Sequence, residues 1–228
     1  MSNLYIVATP IGNMEDITYR AVRILKEADF VLCEDTRVTA KLLTRYEIGT
    51  QTISYHQHSD EDKINYLLGL LKDGKNLALV TDAGTPGISD PGGQLVEAVR
   101  ENLEDVGIVP IPGPSALAAA ASISGMAMDK FVFMGFPPHK KKRKKFFEEA
   151  INSKHPVIFY ESTHRILRTL KELGEAEKEL ETEAREILVC RELTKKFEST
   201  YRGSIDEVIK MLENDNIKGE FVVIINNL

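Results

Sequence analysis

The 228-residue chain carries 29 Lys/Arg against 35 Asp/Glu, a formal net charge of −6, and is 43% hydrophobic and 28% charged. That balance fits one large or two small globular domains and excludes a fibrous, disordered or disulfide-scaffolded protein. The charge is uneven: residues 1–120 hold ten basic and seventeen acidic side chains, residues 121–228 nineteen and eighteen.

Residues 4–9 (LYIVAT) read as a buried parallel strand, being a short and nearly continuous apolar run. A turn, PIGNMED, leads to a helix expected from Asp16 to Ala28, marked by Ile17, Ala21, Val22, Ile24 and Leu25. FVLCEDT reads as a second strand, Thr39–Arg45 as a short helix and TISYHQHSDED as a strand entering a polar loop. Ser59 is expected to cap a helix carrying Ile64, Leu67, Leu68 and Leu71. NLALVT and QLVEAVR form another strand and helix, VGIVPIP a fifth strand, and Ser115–Ser122 an alanine helix. Strands alternating with helices in this way predict a parallel sheet with helices on both faces.

Beyond this the texture changes. FVFMGF is a strand, FFEEAI a helix start, VIFYES a strand and HRILRTLKEL an amphipathic helix, followed by an acidic helical linker. ILVCRE, KFESTYRG and EFVVIIN are three further β runs, with SIDEVIKMLEN as a helix between the last two. The short break between ILVCRE and KFESTYRG suggests an antiparallel pair and hence a mixed sheet. The expected boundary lies near Gly125, giving domains 1–124 and 125–228. The uncharged segment Val106–Met128 is broken by PIPGPS and reads as strand, turn and small-residue helix, not a membrane span. Cys33 and Cys190 lie inside apolar runs and read as free thiols of a reduced cytosol. With the first strand starting at Leu4 and no signal peptide read ahead of it, the protein is expected to be soluble and cytoplasmic.

Three Gly/Pro-rich loops follow predicted strands: TPIGN (9–13), DAGTPGISDPGG (82–93) and PGPSA (112–116). In a parallel sheet such ends share one edge, where open α/β sheets place ligands, so the loops can converge on a small-molecule cofactor. None is a GxGxxG dinucleotide turn or a GxxxxGK[ST] phosphate loop, which disfavours a nicotinamide oxidoreductase and a Walker-type ATP site. Asp82 can accept from a ribose or an amine, or merely bond its own loop. His56 and His58, beside Asp60, Glu61 and Asp62, lack the spacing of a zinc site, and no metal is expected. The tract His139–Lys145 holds six consecutive cations in an acidic chain, between Phe136-Pro137-Pro138 and Phe146-Phe147; counterion release and stacking suit it to RNA.

VATPIGNMEDIT, CEDTR, YHQHSD, LVTDAGTPGISDPG, IPGPSA, the GF before the basic run, YESTHR and CRELTK occur in order over almost the whole length. On these strings the chain resembles the tetrapyrrole-methylase-fold enzymes, and most closely their small-subunit ribosomal RNA methyltransferase I branch. One departure is Thr163, where that branch tends to have proline. The resemblance implies two α/β domains with S-adenosylmethionine in the cleft between them, and a homodimer. It further implies methyl transfer to the ribose 2′-oxygen of a decoding-region cytidine of 16S rRNA in the 30S subunit. By position it places cofactor contacts at Pro10, Asp82, Ala83, Gly84, Thr85, Ile88, Ser115, Ala116, Tyr160, Leu193 and Glu220. Candidate catalytic groups are Glu161, Asp35 and Lys195, the last as a base only if burial lowers its pKa. Arg37, Arg165, Arg191 and the tract Lys140, Lys141, Lys142, Arg143, Lys144 and Lys145 are candidate RNA contacts. A porphyrinoid methyltransferase of the same fold and a non-enzymatic RNA-binding protein are the competing readings.

Overall fold

The computed structural model describes residues 2–56 and 59–227. The chain divides into two compact units, Met1–Ser115 and Ala116–Leu228.

The first unit is a five-stranded parallel sheet in the order β3-β2-β4-β1-β5: β1 Asn3–Val7, β2 Phe30–Cys33, β3 Gln51–Ser54, β4 Leu77–Leu79 and β5 Gly107–Ile111. The strands read as continuous apolar runs because both faces are covered. Val7, Val31, Cys33, Ala78 and Val80 pack with the helices α1 (Tyr19–Glu27) and α2 (Thr36–Arg45). The alternate residues Leu4, Leu32, Leu77 and Leu79 pack with α3 (Glu61–Lys72) and α4 (Gly93–Asn102). This is the period-two alternation of a strand, with each fully buried Leu contributing about 1.5–3 kcal/mol.

Local polar chemistry sets the helix starts. The helix expected from Asp16 is instead a 3₁₀ turn, Met14–Asp16, followed by α1, because the Thr18 hydroxyl accepts from Ala21 N–H at 3.1 Å and restarts the helix. Asp60, not Ser59, caps α3, its carboxylate accepting from Lys63 N–H at 3.0 Å. Ser59 Oγ instead accepts from His56 N–H at 3.0 Å.

The second unit opens with α5 (Ala116–Ile123) and contains a mixed sheet, β6-β7-β10-β8-β9. Its strands are β6 Val132–Phe133, β7 Val157–Ser162, β8 Glu186–Arg191, β9 Ser199–Ser204 and β10 Glu220–Ile225. Strands β6 and β7 run parallel and every other pair is antiparallel, including the expected β8–β9 pair. α6 (Arg143–Ile151), α7 (Ile166–Glu179) and α8 (Ile205–Glu213) supply the core through Phe147, Leu170, Leu173, Val208 and Leu212, against Phe159, Val189 and Val223. The expected linker is in part the last turns of α7, which runs through Gly174; a Cβ there would lie 3.3 Å from Ile205 Cγ2, so the glycine lets α8 approach. Among the described residues no helix is long and apolar enough to cross a membrane.

Candidate active site

Strand order locates the ligand edge of the first unit. β1 and β4 are neighbours, yet the chain leaves β1 through α1 towards β2 and leaves β4 through α4 towards β5, on opposite faces. The sheet reverses direction between them, and a crevice forms at such a switch point outside the strands' carboxyl ends. The loops there are TPIGN and DAGTPGISDPGG, and they are bonded directly. Thr9 N–H donates to Gly84 O at 2.9 Å, Gly84 N–H donates to Thr9 O at 3.0 Å, and the Thr9 hydroxyl donates to Thr81 O at 3.2 Å. The third loop joins through the Thr85 hydroxyl, which donates to Pro114 O at 3.1 Å. The convergence expected of the three loops is therefore a physical contact.

Glycine is needed at two of these points. Gly84 has φ +83°, and a Cβ on it would sit 3.4 Å from Ile11 Cγ2. At Gly113 a Cβ would lie 3.1 Å from the Ala8 methyl, so any side chain there would push the third loop away from the residues just after β1. Pro10, Thr85 and Ser115 are half-buried in this cluster, and Asp82, Ala83 and Ile88 are exposed on it. Asp82 Oδ1 accepts from Asp35 N–H at 3.2 Å. An exposed carboxylate beside exposed Ala83 and Ile88, on backbone that approaches closely, suits a small molecule with amine or hydroxyl groups and an apolar portion.

Asp35 caps α2 and is chelated by Arg37, whose Nε and Nη2 donate to it at 3.0 and 2.6 Å. The Arg37 side chain and its backbone N–H hold the Asp35 carboxyl down at about 2. Burial raises the Cys33 thiol, and burial with the charge of Glu198 pushes Cys190 up to about 12; both are free and buried, and neither is a nucleophile at neutral pH. His56 is exposed beside Ser54 and Ser59, at 3.4 Å from each hydroxyl. His58 lies outside the described residues. No group of three His, Cys, Asp or Glu that could hold a metal occurs among the described residues.

In the second unit, Glu161 and three arginines behave unlike their sequence reading. The Glu161 side chain is fully buried at the end of β7. Oε1 takes Arg165 Nη2 at 2.8 Å and Ser162 N–H at 2.7 Å, while Oε2 takes the Thr169 hydroxyl at 2.6 Å. A carboxylate so enclosed positions Arg165 and does not reach a substrate proton. Arg165 Nη1 also donates to Pro137 O at 3.0 Å. Arg143, within the cationic tract, is buried at 4% exposure: Nε donates to Glu172 at 2.6 Å, Nη1 to Pro138 O at 2.8 Å and Nη2 to Thr169 Oγ1 at 2.8 Å. Arg191 is buried, donating to Lys218 O at 2.8 Å. Arg143, Arg165 and Arg191 thus brace the fold from within, leaving Lys140, Lys141, Lys142, Lys144 and Lys145 as the tract's exposed cations.

The placement of those lysines carries information. They flank the N-terminus of α6, where the helix dipole is positive and cations are unfavourable by some tenths of a kcal/mol each. Lys142, preceding the helix, has φ 68° and makes no side-chain cap. Lys144 pairs with Glu179 at 2.6 Å on the surface, where such pairs are weak. Local stability does not account for this tract.

Lys195 donates to Glu192 at 2.9 Å and to Glu220 at 2.8 Å. Burial alone would lower its pKa, but these two carboxylates outweigh burial and raise it, so Lys195 stays an ammonium at neutral pH and is no general base. Leu193 is buried, and the neighbouring Thr194 hydroxyl is buried without a partner among the described residues, an unused polar atom a ligand could satisfy. Tyr160 Oη accepts from Leu117 N–H at 3.2 Å beside Ala116, and its ring meets Phe133 and Phe136 edge-on at 4.9 and 5.5 Å. Thr163 uses what proline lacks: its N–H donates to Gly219 O at 3.1 Å, and its hydroxyl bonds the same residue.

A family model, "Tetrapyrrole (Corrin/Porphyrin) Methylases", matches residues 3–209. The chain belongs to this methyltransferase family. It is 45% identical over 97% of its length to the Ribosomal RNA small subunit methyltransferase I of Halalkalibacterium halodurans, covering 75% of that protein. To the protein of the same name from Bacillus subtilis it is 45% identical over 99% of its length, again covering 75%. Among solved structures, the methyltransferase CobJ aligns over 100% of this chain and 95% of its own with TM-score 0.71 at 19% identity. The cobalt precorrin-4 methyltransferase CbiF aligns over 98% and 94% with TM-score 0.69 at 20% identity. These two show the tetrapyrrole methylase fold.

The braced arginine of this family member has a pH signature. Burial would raise the Glu172 carboxyl, but Arg143 and Arg168 outweigh it and hold the group below its ordinary 4.5. A carboxyl depressed in the folded state stabilises above its unfolded pKa and loses that contribution as pH falls through the folded value. Glu172→Gln is therefore expected to lower the urea midpoint at pH 7, with the gap to the parent closing as pH drops below 4.5. A gap constant from pH 7 to pH 3 would show that the carboxylate charge is not what matters.

Proposed function

We propose that this protein transfers the methyl group of S-adenosylmethionine to the ribose 2′-oxygen of a cytidine in the decoding region of 16S rRNA. The observation carrying this reading is the exposed lysine tract at the start of α6, on a chain 45% identical to proteins named for ribosomal RNA methylation. The first-unit loops suit the cofactor: Asp82 for its amine or ribose hydroxyls, the Gly84–Thr85 backbone for close approach, and Ala83 and Ile88 for its apolar parts, with Pro10 and Ser115 beside them. Ala116, Tyr160, Leu193 and Glu220 are the second unit's proposed contacts. When bound, the cofactor supplies a methyl already activated by its sulfonium.

The chain's own task is orientation. Asp35, with a carboxyl near 2, has little drive to take a proton at neutral pH. Glu161 holds Arg165, and Lys195 contributes positive charge. Catalysis thus rests on holding the ribose oxygen where a bound cofactor would present its methyl in line, with the hydroxyl proton released to water. Lys140, Lys141, Lys142, Lys144 and Lys145 take phosphates, as does Arg37 when it exchanges Asp35 for RNA.

The test is incubation with labelled S-adenosylmethionine and either 30S subunits or naked 16S rRNA, followed by mapping of ribose methylation. Label on a decoding-region cytidine ribose is expected; label on a base, or none on either substrate, sinks the reading. Replacing the five exposed lysines by glutamine is expected to weaken RNA binding and flatten its salt dependence by about 0.7–0.9 log units per lost phosphate contact. A porphyrinoid methyltransferase would be indifferent to that change.

A further inference from the structure

The loop joining β8 to β9 holds a feature that cofactor binding does not require. Phe197 stands 65% exposed at a turn tip, with the Lys196 ammonium 5.6 Å from its ring centroid. The turn is closed by Glu198 N–H donating to Lys195 O at 3.1 Å, which makes Lys196 and Phe197 its two central residues.

The turn is held firmly. Glu192 and Thr194 both have left-handed backbones without being glycine, at φ 52° and 67°, a conformation costing about 1–2 kcal/mol each. Surrounding bonds over-determine it: Glu192 N–H donates to Glu220 O at 2.9 Å, Lys195 N–H to Glu192 O at 3.0 Å, and Thr194 N–H to the Glu198 carboxylate. The Lys195 ammonium ties Glu192 to Glu220. Beneath them a Cβ on Gly219 would come within 2.4 Å of Glu192 Cγ, so only glycine lets the strands meet there. A strained and cross-braced turn whose result is an exposed aromatic ring flanked by lysine fits a surface prepared for a flat, anionic partner.

We propose that Phe197 is a stacking platform for one unpaired base of the RNA substrate, with Lys196 taking an adjacent phosphate. Single-stranded RNA is held by aromatic rings on which bases stack and by cations that follow the backbone. A ring carried on a braced backbone gives up only side-chain freedom on stacking. The inference rests on the RNA reading above and adds a second contact, separate in sequence from the lysine tract.

The chain has no tryptophan, so Phe197→Trp installs a single fluorescent reporter at the turn tip. The variant of the 228-residue chain is to be titrated with a single-stranded oligonucleotide of the 16S decoding region, beside the parent and Phe197→Ala. Expected are quenching of the tryptophan on RNA addition, and an RNA Kd raised about 5- to 150-fold in Phe197→Ala, the range for loss of one stacked base. The Kd for S-adenosylmethionine should be unchanged. Parent binding with Phe197→Ala within twofold of it, or with no quenching, overturns the stacking role. Emission that shifts with protein concentration in the absence of RNA also overturns it, by assigning the ring to a protein contact. A parent that binds no RNA removes the underlying reading as well, and the parent titration alone reveals that case.

Discussion

Replacing Asp82 with alanine is expected to weaken S-adenosylmethionine binding by about 10- to 150-fold, the loss of about 1.5–3 kcal/mol for hydrogen bonds to a charged group. The carboxylate is exposed on the loop edge and accepts from Asp35 N–H at 3.2 Å, a bond that does not bury it. Thermal stability should therefore fall little while calorimetric affinity falls sharply. Asp82→Asn keeps an acceptor for Asp35 but loses the charge, and should lie between parent and alanine. Affinity for the alanine variant within twofold of the parent would remove Asp82 from the cofactor site.

Arg143→Met is expected to destabilise the protein by about 3 kcal/mol, since losing a buried guanidinium leaves several largely enclosed acceptors short of a donor at once. Three groups lose a donor together: Glu172, which keeps Arg168 at 2.7 Å, Pro138 O, and the Thr169 hydroxyl that also serves Glu161. In a chain of this size that is a fall in Tm of about 6–12 °C. Arg143→Lys should recover little, because one ammonium cannot reproduce a planar guanidinium donating in three directions. Lys141→Gln, two residues away and exposed, should stay within about 0.5 kcal/mol of the parent. A loss below 1 kcal/mol for Arg143→Met, measured by urea unfolding, would show that Glu172 and Thr169 find other partners. Retained RNA affinity in the folded fraction would separate this bracing role from direct phosphate contact.

How much of this was legible beforehand differs by element. The five parallel strands and their order of appearance were readable because strands covered on both faces become unbroken apolar runs such as FVLC and LALV. The three converging loops were readable because glycine and proline accumulate where backbone must turn or approach closely. The antiparallel β8–β9 pair followed from the shortness of its connection. Helix starts were read less well: Thr18 and Asp60 each had neighbours of similar capping ability, and the choice depends on backbone direction. Within the cationic tract, Arg143 was indistinguishable from its lysine neighbours by charge. The available hint was chemical, a lone arginine among lysines, the residue suited to multidentate buried contacts.

By itself, the sequence determined fold class, family and the converging Gly/Pro-rich loops of this protein, because each is written in local composition and spacing. Only the tertiary structure decided what its charged groups do. It enclosed Glu161 and Arg143, held Asp35 near 2 beside Arg37, kept Lys195 charged between two carboxylates, and left five lysines and Phe197 facing solvent. The reason is physical: a side chain's charge is set by its type, but its burial, partners and availability are set by residues distant in sequence, such as Glu172 for Arg143 and Glu220 for Lys195.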